Sequence, residues 1–485
     1  MNYNPTVWHI NEGHAAFSLL ERIRELVAVG TDFDTALEQI AAATIFTTHT
    51  PVSAGHDRFN QATLLHHLGS FISKLEIDID ILMALGTTPS NPHDFNMTTL
   101  GLRGSRFHNG VSLGHRGVTA AMEAEVWPQI PPAESPITYI TNGVHIESFL
   151  DKEWVDLFDR CFNDWRQHLS SVDYWQCINT IDNQTYWQCH QSVKKSLLNL
   201  VRRQVTNQHT HNGASQALIA HSTRYIDQYQ ENLLVLGFAR RFATYKRATL
   251  LFYDHQRLLE LLNHDPPILI IFAGKAHPDD GPGKELIRIV HEYSLQPELI
   301  GKIIILEGYD MALARLMVGG CDVWLNTLEY PMEACGTSGQ KAGINGVVNL
   351  SVLDGWWAEG FNSNNGWAIA PHAPETDSGF RNRQESADLL DILEHGVIPD
   401  FFNHEDAGYP KQWVQKSKAS MSSVIPHFSA ERMLSHYVKQ LYREEQRQGA
   451  RLSIDNNAGE LSRWKQLIRT HWPGVRAKRI DTLQN

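Results

Sequence analysis

Four permanent cations stand within eight residues of an otherwise acidic chain: Arg240, Arg241, Lys246 and Arg247. Phe242 and Tyr245 interrupt the run, a buried-strand pattern precedes it and a helix-like pattern follows. Such a setting reads as a local anion site, with phosphate the first choice, rather than as a solvated basic face. A second loop, EACGTSGQK at residues 333–341, combines Glu333, Cys335, Gly336, Thr337 and Lys341. Its glycines and intervening hydroxyls offer backbone N–H and side-chain O–H donors to a phosphate group. A lysine beside such a cradle is either the counter-ion of the phosphate or a Schiff-base lysine for pyridoxal phosphate, and the residue types alone leave both readings open. Among the 25 histidines, the stretch QHTH at 208–211 sits in a polar loop by pattern, with no nearby Cys or acidic partner. No metal site is expected there.

These groups need rigid elements to aim them. Apolar, β-rich runs recur at residues 7–10, 43–47, 137–140, 233–238, 268–273, 303–307, 323–326 and 347–352, with helical patterns between them. That alternation argues for α/β architecture with parallel sheets. The clearest part, 233–353, has the pattern of a doubly wound, Rossmann-like domain, with a helix expected over 245–262. In such sheets ligands bind beyond the carboxyl ends of the strands. The cation run, the loop at 275–278, Tyr309 with Asp310, and the 333–341 loop all fall there. Residues 154–203 are helical and Trp-rich, and the pattern is helical again from 386 onward, ending in a basic tail at 476–479. The opening unit shows only about three strands where an open doubly wound sheet has about five or six, so it reads as a domain lacking its first half. The expected division is 1–145 for the first lobe, 146–230 for a connecting helical segment, 231–425 for the second lobe and 426–485 for terminal helices.

The bulk composition sets the frame. A chain of 485 residues suffices for two or three domains at roughly 150 residues each. With 42% hydrophobic and 20% charged residues it has the mix of an ordinary globular protein. No apolar run approaches the ~20 residues of a membrane span, so no membrane is expected as a partner. The first residues lack the basic start and apolar core of a secretory signal. Five cysteines without CxxC spacing suggest a reducing cytoplasm. A formal charge of -12 gives no general attraction to nucleic acid.

Taken together, the motifs resemble a known family, the α-glucan (glycogen, starch and maltodextrin) phosphorylases, and especially their shorter prokaryotic branch. The resemblance rests on NEGHAAF (11–17), FTTHTPVSAGHDRF (46–59), ITNGVH (140–145), GFARRFATYKR (237–247), FAGKAHP (272–278), LEGYDMALA (306–314), EACGTSGQK (333–341) and NLSVLDGWWAEG (349–360). They run in family order as far as Trp472, Pro473 and Gly474. The resemblance implies two Rossmann-like lobes of the GT-B glycosyltransferase type with pyridoxal 5′-phosphate between them. It implies Lys341 as the Schiff-base lysine, Arg240, Gly336 and Thr337 as ligands of the cofactor phosphate, and Tyr309 as a residue lining the cofactor. Arg241 and Lys246 match the pair that binds substrate phosphate, completing with Lys341 the implied catalytic set. Glu333, Cys335 and Gly336 match ligands of the transferred glucose, as do His49 and Asn142 from the opposite lobe.

The reaction implied is phosphorolysis of α-1,4-glucan by inorganic phosphate to glucose 1-phosphate with retention, the cofactor's 5′-phosphate giving and taking the proton. Without the resemblance His49 reads as a turn histidine, Asn142 with Gly143 as a simple turn, and Trp356 with Trp357 as either core or a sugar platform. Cys335 stands where the family usually has serine, and Gln340 where methionine is common. Family chains are longer at the N-terminus, where a glycine-rich loop covers the substrates. The chain is therefore expected to be roughly the C-terminal two-thirds of such an enzyme, poorly active alone, acting as a homodimer or with a complementing N-terminal partner chain. Two rival functions share the motifs' general chemistry: a sugar-nucleotide glycosyltransferase that needs no pyridoxal phosphate, and a non-catalytic glucan-binding subunit.

Overall fold

In the computed structural model, residues 5–229, 231–404 and 408–476 are described. They form an α/β protein with two parallel sheets. Contacts divide it into two compact units: Met1–Val111, Arg116–Ile140 and Ser435–Asn485 form the first, and Ser112–His115 with Thr141–Leu434 the second. The first cut lies near the expected boundary at 145, but the other segments are grouped differently. The C-terminal helix Asn457–His471 packs on the helix Phe33–Ala41 of the first unit, where Lys465 donates to Glu38 (2.6 Å) and Gln466 to Asp34 (2.6 Å). The long helix Asn183–His211 packs on the helix Met311–Gly320 of the second unit, so closely that a Cβ on Gly320 would lie 2.7 Å from Leu197. Beyond Arg476 the expected basic tail lies outside the described residues.

The first unit carries strands β1 (Trp8–Asn11), β2 (Thr44–Thr47), β5 (Phe107–Gly110) and β6 (Ile137–Tyr139) in the order β1-β2-β5-β6, all parallel. A short antiparallel pair, β3 (Arg58–Asn60) and β4 (Asp94–Asn96), stands apart. Leu19, Leu20 and Ile23 of the helix Phe17–Val27 join Phe46, Leu100 and Leu102 in its core. Strand β5 is the fourth strand that the apolar pattern does not show, because its sequence is FHNG. The two polar residues are buried and each finds a partner: His108 Nε2 lies 2.7 Å from the Leu102 carbonyl, and Asn109 donates to the Tyr437 hydroxyl (3.0 Å).

The second unit holds β7 (Leu234–Ala239), β8 (Ile268–Ala273), β9 (Ile303–Leu306), β10 (Val323–Asn326), β11 (Val348–Val352) and β12 (Gly366–Ile369), all parallel. Their order is β12-β11-β10-β7-β8-β9. Numbered within the unit this is the doubly wound order, and it reverses between β7 and β10, where such sheets open a crevice for ligands. Strand β12 escapes the sequence pattern because it is a four-residue edge strand that begins with Gly366 and is only partly buried in its middle.

The expected helix over 245–262 is not continuous. Short 3-10 turns cover Thr244–Lys246 and Leu250–Phe252, and α-helix begins only at His255. Arg247 takes a left-handed φ of 44° and turns its buried guanidinium onto the carbonyls of Thr327 and Leu328 and the carboxylate of Glu385. Those bonds hold the segment as a bent loop against its helical periodicity.

Candidate functional site

Strands β7 and β10 are neighbours, so the loops leaving their carboxyl ends meet at the reversal of strand order. From β7 come Arg240 and Lys246, and from β10 comes Glu333, and the three converge. One carboxylate oxygen of Glu333 accepts from Arg240 and from Lys246 Nζ (2.7 Å). Arg240 also donates to Asn326 Oδ1 at the end of β10 (3.1 Å). Its Nε is buried and has no hydrogen-bond partner among the described residues. Burial acts to raise the Glu333 carboxyl, but the charges of Arg240 and Lys246 and their hydrogen bonds outweigh it and hold it down at about 2. Burial, and then the like charge of Arg240, pull Lys246 below the ordinary lysine value against the attraction of Glu333.

Arg241 lies apart from this cluster, exposed, with one weak bond to the Tyr245 hydroxyl (3.3 Å). Arg247, although in the same run, belongs to the Glu385 pair and is structural.

The backbone of Glu333 is itself fixed. Its N–H donates to Asp354 Oδ2 (2.9 Å), whose Oδ1 accepts from Gly355 N–H (2.8 Å). Burial pushes the Asp354 carboxyl up to about 7 in spite of these bonds. Gly355 (φ 53°) approaches Cys335 so closely that a Cβ would lie 2.4 Å from the Cys335 carbonyl oxygen, which also accepts from Trp356 N–H (2.9 Å). Cys335 is buried, and burial holds its thiol protonated. Gly336 takes φ 87°, the left-handed turn that starts the helix Thr337–Gly343.

That short helix presents Lys341 on its last turn. The Lys341 ammonium lies over the Phe149 ring, 4.1 Å from its centroid, and has no carboxylate partner among the described residues. Burial alone lowers it from the ordinary lysine value. Asn345 ties the helix down, donating to the carbonyls of both Lys341 and Phe149 (2.8 Å each).

Asn142 falls in this second unit, and its carbonyl accepts from Gln340 Nε2 (3.0 Å) and Arg432 (3.3 Å). Tyr309 follows β9, half-buried against the hydrophobic core, where burial raises its hydroxyl. Trp356 and Trp357 are 2% and 0% exposed, so both are core and neither is a sugar platform. The stretch 208–211 ends the helix Asn183–His211 and is not a loop. One group of side chains with metal-like spacing, Asp391, Glu394 and His395, has both carboxylates bonded by Arg257.

His49 belongs to the first unit. It follows β2, half-buried, and burial lowers its imidazole against the pull of Glu12. Its Nε2 lies 2.6 Å from Asn11 Oδ1, and its backbone N–H donates to Glu12 Oε2 (2.6 Å). Asn11, Glu12, Asn326, Asp354 and Phe149 are therefore parts of the candidate site regions that residue types alone did not single out. NEGH and the LDG of 353–355 contained the signal for three of them, as motifs without an assigned task.

The described residues thus form an α/β protein whose acidic and basic groups converge beyond the carboxyl ends of parallel strands. The chain belongs to the carbohydrate phosphorylase family, whose signature matches residues 3–359. It is similar to the maltodextrin phosphorylase of Thermococcus litoralis, with 39% identity over 486 residues, 99% of this chain and 56% of that protein. It is also similar to the glycogen phosphorylase of Mycobacterium tuberculosis (38% over 489 residues, 99% of this chain and 56% of that protein). A third relative is the glycogen phosphorylase of Aquifex aeolicus (35% over 441 residues, 90% and 62%). The chain spans little more than half the length of the first two.

Proposed function

We propose that this chain carries the cofactor and phosphate sites of an α-glucan phosphorylase, which converts α-1,4-glucan and inorganic phosphate to glucose 1-phosphate with retention. Its two units are read as the Rossmann-like lobes of a GT-B glycosyltransferase. The single observation that supports this reading most is Lys341: a half-buried amine with no acidic partner among the described residues, one short helix away from the Gly336 turn. An amine lowered by burial is the kind that condenses with an aldehyde.

The residues fit pyridoxal phosphate. Lys341 would anchor it, and Gly336, Thr337 and the unsatisfied Nε of Arg240 would hold its 5′-phosphate. Bound there, the cofactor supplies a phosphate able to exchange a proton with the substrate phosphate. Buried Lys246, now paired with Glu333, and the exposed Arg241 of the same loop would then bind the substrate phosphate. That phosphate faces positive charge developing on the glucosyl group, and fixed cations beside it keep both anions in register. Glu333, ionised well below neutral pH, accepts hydrogen bonds from glucose hydroxyls, with Asn142, Cys335, Gly336 and His49 as further contacts. Five unpaired cysteines suit the reducing cytoplasm where such a glucan store would be used.

The test is glucose 1-phosphate release from maltoheptaose and phosphate by the purified protein. Release that requires both added pyridoxal phosphate and Lys341 is expected. Glucosyl transfer from a sugar nucleotide, indifferent to pyridoxal phosphate, would overturn the reading.

A further inference from the structure

The first strand ends in a conformation that its residue does not favour. Glu12 has φ 78° and ψ 161°, a region occupied almost only by glycine. Its side chain is nonetheless the most heavily used acceptor of that corner. Oε2 accepts from His49 N–H (2.6 Å) and from the Thr50 hydroxyl (3.0 Å). Oε1 accepts from the Thr48 hydroxyl (3.4 Å) and from Gly13 N–H (3.3 Å). The backbone N–H of Glu12 continues the ladder to the Thr47 carbonyl (2.8 Å). One carboxylate thus gathers the three residues that follow β2, with His49 at their centre.

The neighbouring Asn11 completes the arrangement. Its side-chain carbonyl lies 2.6 Å from His49 Nε2, which sets that nitrogen as the hydrogen-bearing one and leaves Nδ1 as the acceptor of the ring. Glycine would reach the same backbone without strain, yet it has no carboxylate to offer the 48–50 loop. Strain held at one residue, together with three acceptor contacts that serve one loop, is the pattern of a position kept for its side chain.

We infer that Glu12 is a positioning residue, which fixes the 48–50 loop and so keeps the His49 ring on Asn11, where Nδ1 can accept a hydroxyl of the bound glucosyl unit. The inference rests on the proposed assignment of His49 to the sugar. Glu12 itself touches no substrate in this account.

The test uses protein labelled at histidine carbon and nitrogen, with the His49 ring signals assigned by their loss in His49→Gln. In the wild type without sugar, His49 is expected to give one narrow set of signals, protonated at Nε2. In Glu12→Gly the backbone region stays accessible, so the protein folds, but the His49 signals shift or broaden as the ring and tautomer become free. Affinity for maltoheptaose is then expected to fall about tenfold, the size of losing one ordinary hydrogen bond. Glu12→Gln, which keeps the side-chain volume but can accept at only one oxygen, should give a smaller change of the same kind. A residue that merely stabilised the fold would lower the melting temperature and leave the ring signals of the folded protein in place. Unchanged His49 signals in both variants would therefore overturn the proposal. If instead the signals move as expected but maltoheptaose leaves wild-type His49 undisturbed, the sugar assignment fails and the positioning of the ring stands.

Discussion

Strand β10 has a buried carboxylate at each end, and the two are used in opposite ways. Asp322, just before the strand, is 0% exposed, and its oxygens accept from His190 Nε2 (2.8 Å), Lys194 Nζ (2.7 Å) and the Val235 N–H of the adjacent strand (2.8 Å). Lys194 also donates to the Leu233 carbonyl. Those partners come from one long helix and a strand, with no glycine turn among them. Glu333, in the loop beyond the other end, is bonded by Arg240 and Lys246, both from a loop, beside the turns at Gly336 and Gly355. It leaves the Arg240 Nε unpaired. Identical chemistry therefore makes a cross-link where the partners stand on rigid elements, and a candidate binding site where they stand on loops. Arg247 repeats the lesson within the cation run itself: bonded to two carbonyls and Glu385, it is a brace, seven residues from Arg240.

The contrast can be broken most forcefully at Asp322. Asp322→Ala strands a buried lysine and should cost about 3–5 kcal/mol in denaturant unfolding, whereas a loss below ~1 kcal/mol would deny it the role of brace. At the other end, Lys246→Ala should weaken phosphate binding by about 1.5–3 kcal/mol, measured by calorimetry, and weaken glucan binding less. Equal losses for both ligands would count against the assignment. Glu333→Gln should act in the reverse sense on phosphate, because it removes the anion that now neutralises Arg240 and Lys246. Tighter phosphate and weaker glucose are expected, and weaker phosphate would show that the carboxylate supports that site instead of competing for it.

A further effect lies in pH. Glu333, held at about 2 from an ordinary 4.5, contributes stability that is present above pH 4.5 and disappears as pH falls through 2. Asp354, pushed up to about 7 from 3.8, acts with the opposite sign. Between those values the unfolded chain has lost the proton that the folded one keeps, so stability declines as pH rises. Asp354→Asn should flatten that decline between pH 3.8 and 7 in thermal unfolding curves, and an unaltered slope would place the proton elsewhere.

Much of this was legible in the sequence because burial on both faces makes parallel strands continuously apolar. Strands β8 and β10 lie where their apolar runs place them. Strand β5 was hidden because His108 and Asn109 are polar, and only the folded chain shows the partners that let them be buried. The loops of the candidate site announced themselves by cations and glycines, but the partners did not. Glu333 lies 93 residues from Arg240 and 87 from Lys246, separations at which pairing depends on β7 lying beside β10. Arg247 looked like its neighbours until its left-handed backbone turned it away. The importance of Glu12 rests on a dihedral angle, which no residue type declares.

The central claim is that Lys341 is the anchor of pyridoxal phosphate, and it can be tested without any turnover. The folded protein would be incubated with pyridoxal phosphate, reduced with borohydride and digested, and the peptides mapped by mass. The account predicts one adduct, on the peptide that contains Lys341, and its loss in Lys341→Ala. A folded protein that leaves Lys341 unlabelled in the presence of excess cofactor would contradict it.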